Sequence, residues 1–145
     1  MVNIEGVLLT PLKMIDNPKG NIMHALKKSD QSFIGFGEAY FSEVNPGVVK
    51  GWKKHLKMTL NVIVPVGDIQ FVLYDDRTGS NTYGNFCNII LGINNYQRLT
   101  VPPGIWMAFK GFGNTFNMLL NIASIEHDPN ESVSCDLEQI VYNWN

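Results

Sequence analysis

No run approaching about eighteen consistently apolar residues occurs in this 145-residue chain, so the sequence offers no membrane-spanning helix. The N-terminus carries Glu5 and an early Pro11 instead of a basic stretch followed by a long apolar one, and no leader is expected. Charge of either sign is not in excess: 11 Lys and Arg against 13 Asp and Glu leave a formal net charge of −2, too weak a field to bring nucleic acid or an anionic membrane to the protein. Cysteine is scarce. Cys87 and Cys135 lie far apart, form no CxxC pair and cannot build a disulfide scaffold, so a reducing, cytoplasmic setting is expected.

Several chemistries lack the residues they need. There is no GxSxG elbow and no Walker loop, and Gly35-Phe36-Gly37 and Gly111-Phe112-Gly113 lack the strand-to-helix setting of a phosphate cradle. Serine-elbow acyl transfer, P-loop chemistry and a Rossmann cofactor are without support, and no cofactor is expected. His24, His55 and His127 form neither an HxH nor an HExxH spacing, so no metal is expected either.

What is present reads as β. A hydrophobic content of 45% suffices for one core, and the apolar residues come in short runs that never sustain an amphipathic helical period. Strands are predicted at 3–9, 20–26, 33–41, 48–57, 59–64, 69–74, 86–91, 98–101, 106–109 and 116–125. Between them stand turn-forming clusters such as Asn17-Pro18-Lys19-Gly20, Asn45-Pro46-Gly47, Val66-Gly67-Asp68, Pro102-Pro103-Gly104 and Asp128-Pro129-Asn130. Short strands at this spacing predict a sandwich or barrel. A short helix is predicted at 136–142 with Asp136 as its N-cap, and Trp144 is expected to pack the tail down. No linker or repeat divides residues 1–145, so one domain is expected.

The densest functional signal is the segment 50–57, which holds Lys50, Lys53, Lys54 and Lys57 together with Trp52 and His55. Side chains alternate along a strand, so Lys53, His55 and Lys57 share one face and Trp52, Lys54 and Leu56 the other. Facing inward, the first set would put a base and an electrophilic cation in one cavity. Facing outward, it would be a solvated edge strand protected by lysine. Asparagine occupies 16 positions, mostly in predicted turns, but Asn61, Asn117 and Asn121 interrupt strands and could line a wet cavity or satisfy buried partners. Phe36, Tyr40, Trp52, Trp106 and Phe109 could stack on a base or sugar, or fill the core.

In order along the chain, Asp16-Asn17-Pro18-Lys19-Gly20, Gly47-Val48-Val49-Lys50-Gly51-Trp52, Val101-Pro102-Pro103-Gly104 and His127-Asp128-Pro129 resemble the dTDP-4-dehydrorhamnose 3,5-epimerase family and its sugar-isomerase relatives. The second segment looks like the family's "GVLRGLH" and the third like its "IPPG"; the resemblance covers roughly residues 7–144. It implies a cupin-type double-stranded β-helix, or jelly roll, with a nucleotide-diphosphate sugar as partner and a homodimer as assembly. The chemistry implied is proton abstraction α to the C4 ketone of a nucleotide-linked 4-keto-6-deoxy sugar, in surface-polysaccharide sugar biosynthesis.

Departures fall at the reactive positions. Lys53 stands where the family has its catalytic histidine, His55 replaces a glutamine two residues later, Met107 replaces a histidine after "IPPG", and Glu126-His127 replaces the "YY" that holds the tyrosine acid. Carried onto this chain, the resemblance makes His55 the base, Lys53 the enolate-stabilising cation or an alternative base, and Glu126 or His127 the proton donor. It matches Asp136 to the aspartate that pairs with the catalytic histidine, Lys19 and Lys50 to substrate-contacting arginines, and Glu38 to a pocket glutamine. Asn61, Asn117 and Trp106 complete the expected substrate contacts. A 3,4-ketoisomerase and a non-catalytic sugar-binding cupin remain as alternatives.

Overall fold

Among residues 2–145, which the computed structural model describes, twelve strands and one turn of 3-10 helix alternate with short loops. The strands are β1 (Leu8–Pro11), β2 (Met14–Ile15), β3 (Ile22–Met23), β4 (Glu38–Glu43), β5 (Val49–His55), β6 (Leu60–Val66), β7 (Asp68–Asp75), β8 (Phe86–Gly92), β9 (Gln97–Val101), β10 (Ile105–Gly111), β11 (Met118–Ala123) and β12 (Ser132–Ser134). They form two five-stranded sheets, β1-β9-β6-β11-β4 and β12-β5-β10-β7-β8, and a small β2-β3 ribbon. All ladders are antiparallel. The two sheets enclose one core, which makes the architecture a cupin-type jelly roll.

Alternation along the central strands explains how two hydrophobic clusters arise from one sheet. On β7, Ile69, Phe71 and Leu73 join the core between the sheets, and Val72 and Tyr74 face outward into a second cluster. That outer cluster is roofed by the C-terminal tail. Trp52, 1% exposed, donates from Nε1 to the Ile140 carbonyl at 3.2 Å and meets the Trp144 ring at 6.2 Å. Tyr142 bridges Trp144 and Phe86. Burying a ring of Trp52's size contributes about 4–6 kcal/mol by transfer area, an upper estimate, so the tail is held by a substantial anchor.

The β6-β7 hairpin shows why its turn takes glycine. Gly67 sits at φ +75°, and a Cβ there would lie 2.3 Å from Asn117 Oδ1. Asn117 needs that space: its Oδ1 accepts from the Asp68 N–H at 3.0 Å, and its Nδ2 donates to the Val44 and Gly113 carbonyls.

Differences from the sequence expectations concentrate at the chain ends. The predicted strand 3–9 is replaced by β1, with Ile4 and Val7 buried in the turn before it. Pro11 ends β1 at the sheet's edge, where a missing N–H costs no ladder bond. Of 20–26 only Ile22–Met23 pairs, and 33–41 gives way to Glu38–Glu43. The tail forms one 3-10 turn, Leu137–Gln139, in place of the expected helix at 136–142. Helical continuation stops at Ile140, which is extended at φ −118° and ψ 102°; its carbonyl bonds to Trp52, and the aromatic residues beyond it lie along the sheet. No helix among the described residues is long and apolar enough to cross a membrane.

Candidate active site

A cavity of about 220 Å³ opens between the sheets, walled on one side by β5 and β10 and on the other by β4, β6, β9 and β11. Most of its lining is apolar, including Met58, Leu60, Val62, Ile105, Met107, Phe109 and Leu119. Its polar groups are Tyr40, Ser42, Lys50, Lys53, His55 and Asn121. An apolar hollow with a few convergent polar side chains is the usual form of a small-molecule site, and this volume suits one part of a larger ligand.

Lys53 and His55 reach the cavity by strand alternation, while Lys54 between them points to the outer face and pairs with Asp76 at 3.1 Å. Lys57 lies beyond the end of β5 and is exposed. Lys50 reaches the cavity for a different reason. Met107 pairs with Lys53, but Phe109 pairs with Lys50 where an unbroken ladder would place Gly51, so β5 carries a bulge. The extra residue brings Lys50 onto the inner face, with its Nζ 6.0 Å from the Phe109 ring centroid. That ammonium donates to Ser42 Oγ at 3.1 Å and to the Glu43 carbonyl at 2.6 Å, tying β5 to β4.

His55 is positioned by a residue that the sequence did not single out. Glu131, 2% exposed, accepts a hydrogen bond from His55 Nδ1 and two more, both at 3.2 Å, from the N–H groups of Lys57 and Met58. Its own carbonyl accepts from Leu56 N–H at 2.6 Å, so the bend after β5 closes around it. Burial alone would push the Glu131 carboxyl up; the bonds from His55 and from the two amides outweigh it and hold the group below the ordinary carboxylate range. A carboxylate can only accept, so Nδ1 carries the hydrogen, and in the neutral ring the lone pair is the one on Nε2. The turn Pro102-Pro103-Gly104 locks the strand end, with Gly104 N–H donating to the His55 carbonyl at 2.7 Å.

Of the residues expected from sequence, Lys50, Lys53 and His55 come together at the cavity. The others do not line it. Glu126 and His127 lie in the exposed segment that follows the end of β11, and neither is among the residues that line the cavity. Asp136 is exposed and begins the 3-10 turn; its N–H donates to Gln139 Oε1 at 2.8 Å, and the carboxylate beside His55 is that of Glu131. Lys19 sits in the exposed β2-β3 turn, and Glu38 shares a face of β4 with Tyr40 but stands opposite Ala123 at the strand's end. Asn61 faces outward from β6, accepting from Thr100 Oγ1 at 2.6 Å and donating to the Ser32 carbonyl at 3.0 Å. Asn117 is the hairpin brace described above. Trp106 also faces outward, donating from Nε1 to Asp76 Oδ2 at 2.7 Å under the Lys54 ammonium. Among the described residues no group of three or more His, Cys, Asp or Glu could hold a metal ion.

Comparisons with known proteins agree with this architecture. A family model described as dTDP-4-dehydrorhamnose 3,5-epimerase matches residues 1–145. The "Probable low-salt glycan biosynthesis epimerase Agl13" of Haloferax volcanii is 30% identical, with 100% of this chain and 97% of that protein covered. The "Spore coat polysaccharide biosynthesis protein SpsL" of Bacillus subtilis is 27% identical, with 98% and 97% covered. The crystal structure of a dTDP sugar isomerase from Desulfovibrio desulfuricans G20 superposes with a TM-score of 0.93 at 40% identity, covering 97% of this chain and 92% of that one.

Proposed function

The chain belongs to the dTDP-4-dehydrorhamnose 3,5-epimerase family, and on that premise we propose that it epimerises a nucleotide-linked 4-keto-6-deoxy sugar by removing and returning a proton α to the C4 ketone. The observation that carries this reading is the His55–Glu131 pair, with its imidazole on the cavity wall beside the Lys53 side chain.

The step balances without a co-reactant. His55 Nε2 takes the proton from the carbon next to the ketone, the C–H electron pair becomes the enolate C=C bond, and the carbonyl π electrons move onto the C4 oxygen. Glu131 stabilises the resulting imidazolium, as a buried carboxylate does for a catalytic histidine. Lys53 offers a cation to the developing oxyanion in a largely apolar cavity, where such an interaction is stronger than in water. Return of the proton on the other face of the carbon completes inversion.

Polysaccharide biosynthesis is the corresponding pathway context, supported by what the Haloferax and Bacillus relatives are named for. A second reading rests on the 40% identical solved protein, which is described as a sugar isomerase: the same enolate, protonated at C4 while the C3 hydroxyl proton passes to the C4 oxygen, would move the carbonyl from C4 to C3. The test is incubation with dTDP-4-keto-6-deoxyglucose in deuterated water. Deuterium at C3 or C5 with an inverted centre supports the epimerase, a 3-keto product supports the isomerase, and exchange that is absent or that survives His55→Gln overturns the base assignment.

A further inference from the structure

Inversion needs a second proton carrier on the wall facing His55, and the two residues expected from sequence to serve, Glu126 and His127, are away from the cavity. We infer that Tyr40 returns the proton, with Asn121 as its positioning residue. This rests on the proposed epimerase reading and extends it to the second half of the reaction.

The placement comes from topology. His55 and Lys53 project from β5 of one sheet, and Tyr40 and Asn121 from β4 and β11 of the other, so both walls of the cavity carry polar chemistry. A sugar ring held between them presents one face to each. Among the described residues lining the wall opposite β5, Tyr40 has the only side chain with an ionisable proton. Ser42 is an alcohol already engaged by Lys50, and Leu60, Val62, Val101 and Leu119 are apolar.

Asn121 and Tyr40 are direct cross-strand partners in the β11-β4 ladder, and Asn121 Nδ2 donates to Tyr40 Oη at 2.7 Å. That bond occupies a lone pair of the phenol oxygen and leaves its hydrogen free to donate elsewhere. Once the proton has left, the same amide N–H faces a phenolate, and the bond becomes charge-assisted and stronger. Tyr40 is 47% exposed and stands at the cavity's edge, where solvent can reload it; Asn121 is 6% exposed. Asn121 also carries a cost that packing does not explain. It lies between Leu119 and Ala123 on the inner face of β11, and its Oδ1 has no partner among the described residues. A buried polar atom left unpaired in this way is more typical of a working site than of a core.

The experiment separates proton removal from proton return. With dTDP-4-keto-6-deoxyglucose in deuterated water, Tyr40→Phe should keep exchange at the α carbon within about threefold, because His55 can take and give back on its own face, and should lose inversion by roughly 100-fold or more. Asn121→Leu should lower inversion about tenfold with exchange little changed. Replacing Tyr40 with 3-fluorotyrosine, which keeps the ring's shape and lowers the phenol pKa, should move the alkaline limb of the inversion profile to lower pH and leave the exchange profile in place; this also covers a Tyr40→Phe protein that folds poorly. Inversion at the wild-type rate in Tyr40→Phe, or equal loss of both rates, overturns the donor role. His55→Gln is the separate control: exchange surviving in it removes the base assignment, whatever Tyr40→Phe shows. Wild-type protein that exchanges no deuterium at all removes the epimerase reading and the donor role together.

Discussion

His55 and Glu131 are 76 residues apart in sequence and share a direct hydrogen bond, made when β12 adds to the edge of β5 with Ser132 opposite His55. The strand that carries His55 therefore receives its carboxylate from the residue that leads into the strand beside it, and the order of the second sheet decides which acid that is.

Glu131→Gln should lower the exchange rate on the order of 10²-fold, since a neutral amide stabilises an imidazolium poorly and no longer enforces the Nδ1–H tautomer. Single-turnover exchange checks the rate. Tm should also fall, because the Lys57 and Met58 N–H groups lose a charged acceptor worth about 1.5–3 kcal/mol.

Acid should destabilise the fold through two carboxylates held below their ordinary range. Asp75, fully buried, is held down chiefly by its hydrogen bonds from Arg77, with Ser80 and Thr82 adding to them; Glu131 is held down against its own burial. A depressed carboxylate contributes stability that is fully present above its unfolded value, about 4, and is lost as pH falls toward the folded value. Urea unfolding from pH 7 to 3 should show stability falling with pH. Asp75→Asn should flatten that slope while costing about 2 kcal/mol at pH 7; an unchanged slope would contradict the assignment.

Lys53→Met should reduce exchange by about 10²–10³-fold, with a smaller effect on substrate affinity, as expected for a cation that acts on charge developing in the transition state. A change confined to KM would instead make Lys53 a ground-state contact.

Trp52→Ala should cost about 3–5 kcal/mol, measured by chemical denaturation, and should release the tail, seen as faster amide exchange from Ile140 onward. Trp52→Phe keeps ring packing but removes the Nε1 bond to the Ile140 carbonyl, so it should lose about 1 kcal/mol.

Gly67→Ala should destabilise the hairpin by more than about 1 kcal/mol, because the new methyl meets both a left-handed backbone and the Asn117 amide. Thermal unfolding of Gly67→Ala and Asn117→Ala, alone and combined, should give less than the sum of the two losses.

Much of this molecule could be read from local pattern. The short apolar runs of β6, β7 and β10 and the turn residues between them pointed to the all-β class, and period two put Lys53 and His55 on one face of β5 without saying whether that face looks into the cavity or into solvent. The tail's Trp144 packs as expected, although the helix before it does not form. Lys50 was expected as a substrate contact from the resemblance alone, since strict alternation would group it with Trp52 and Lys54: a bulge is one extra residue, and it leaves no mark in the hydrophobic period. Glu126, His127 and Asp136 were reached through correspondence of motif order, which cannot say where a chain leaves the sheet.

Composition and periodicity determined the class of fold, the strands at its centre and the face of β5 that Lys53 and His55 share, because each depends on near neighbours in the chain. Tertiary structure decided the partner of His55, the inward turn of Lys50 and the meeting of Tyr40 with Asn121. Those contacts come from strand pairing and a bulge, and pairing between distant strands is set by how whole sheets bury their faces, which short stretches of sequence do not encode.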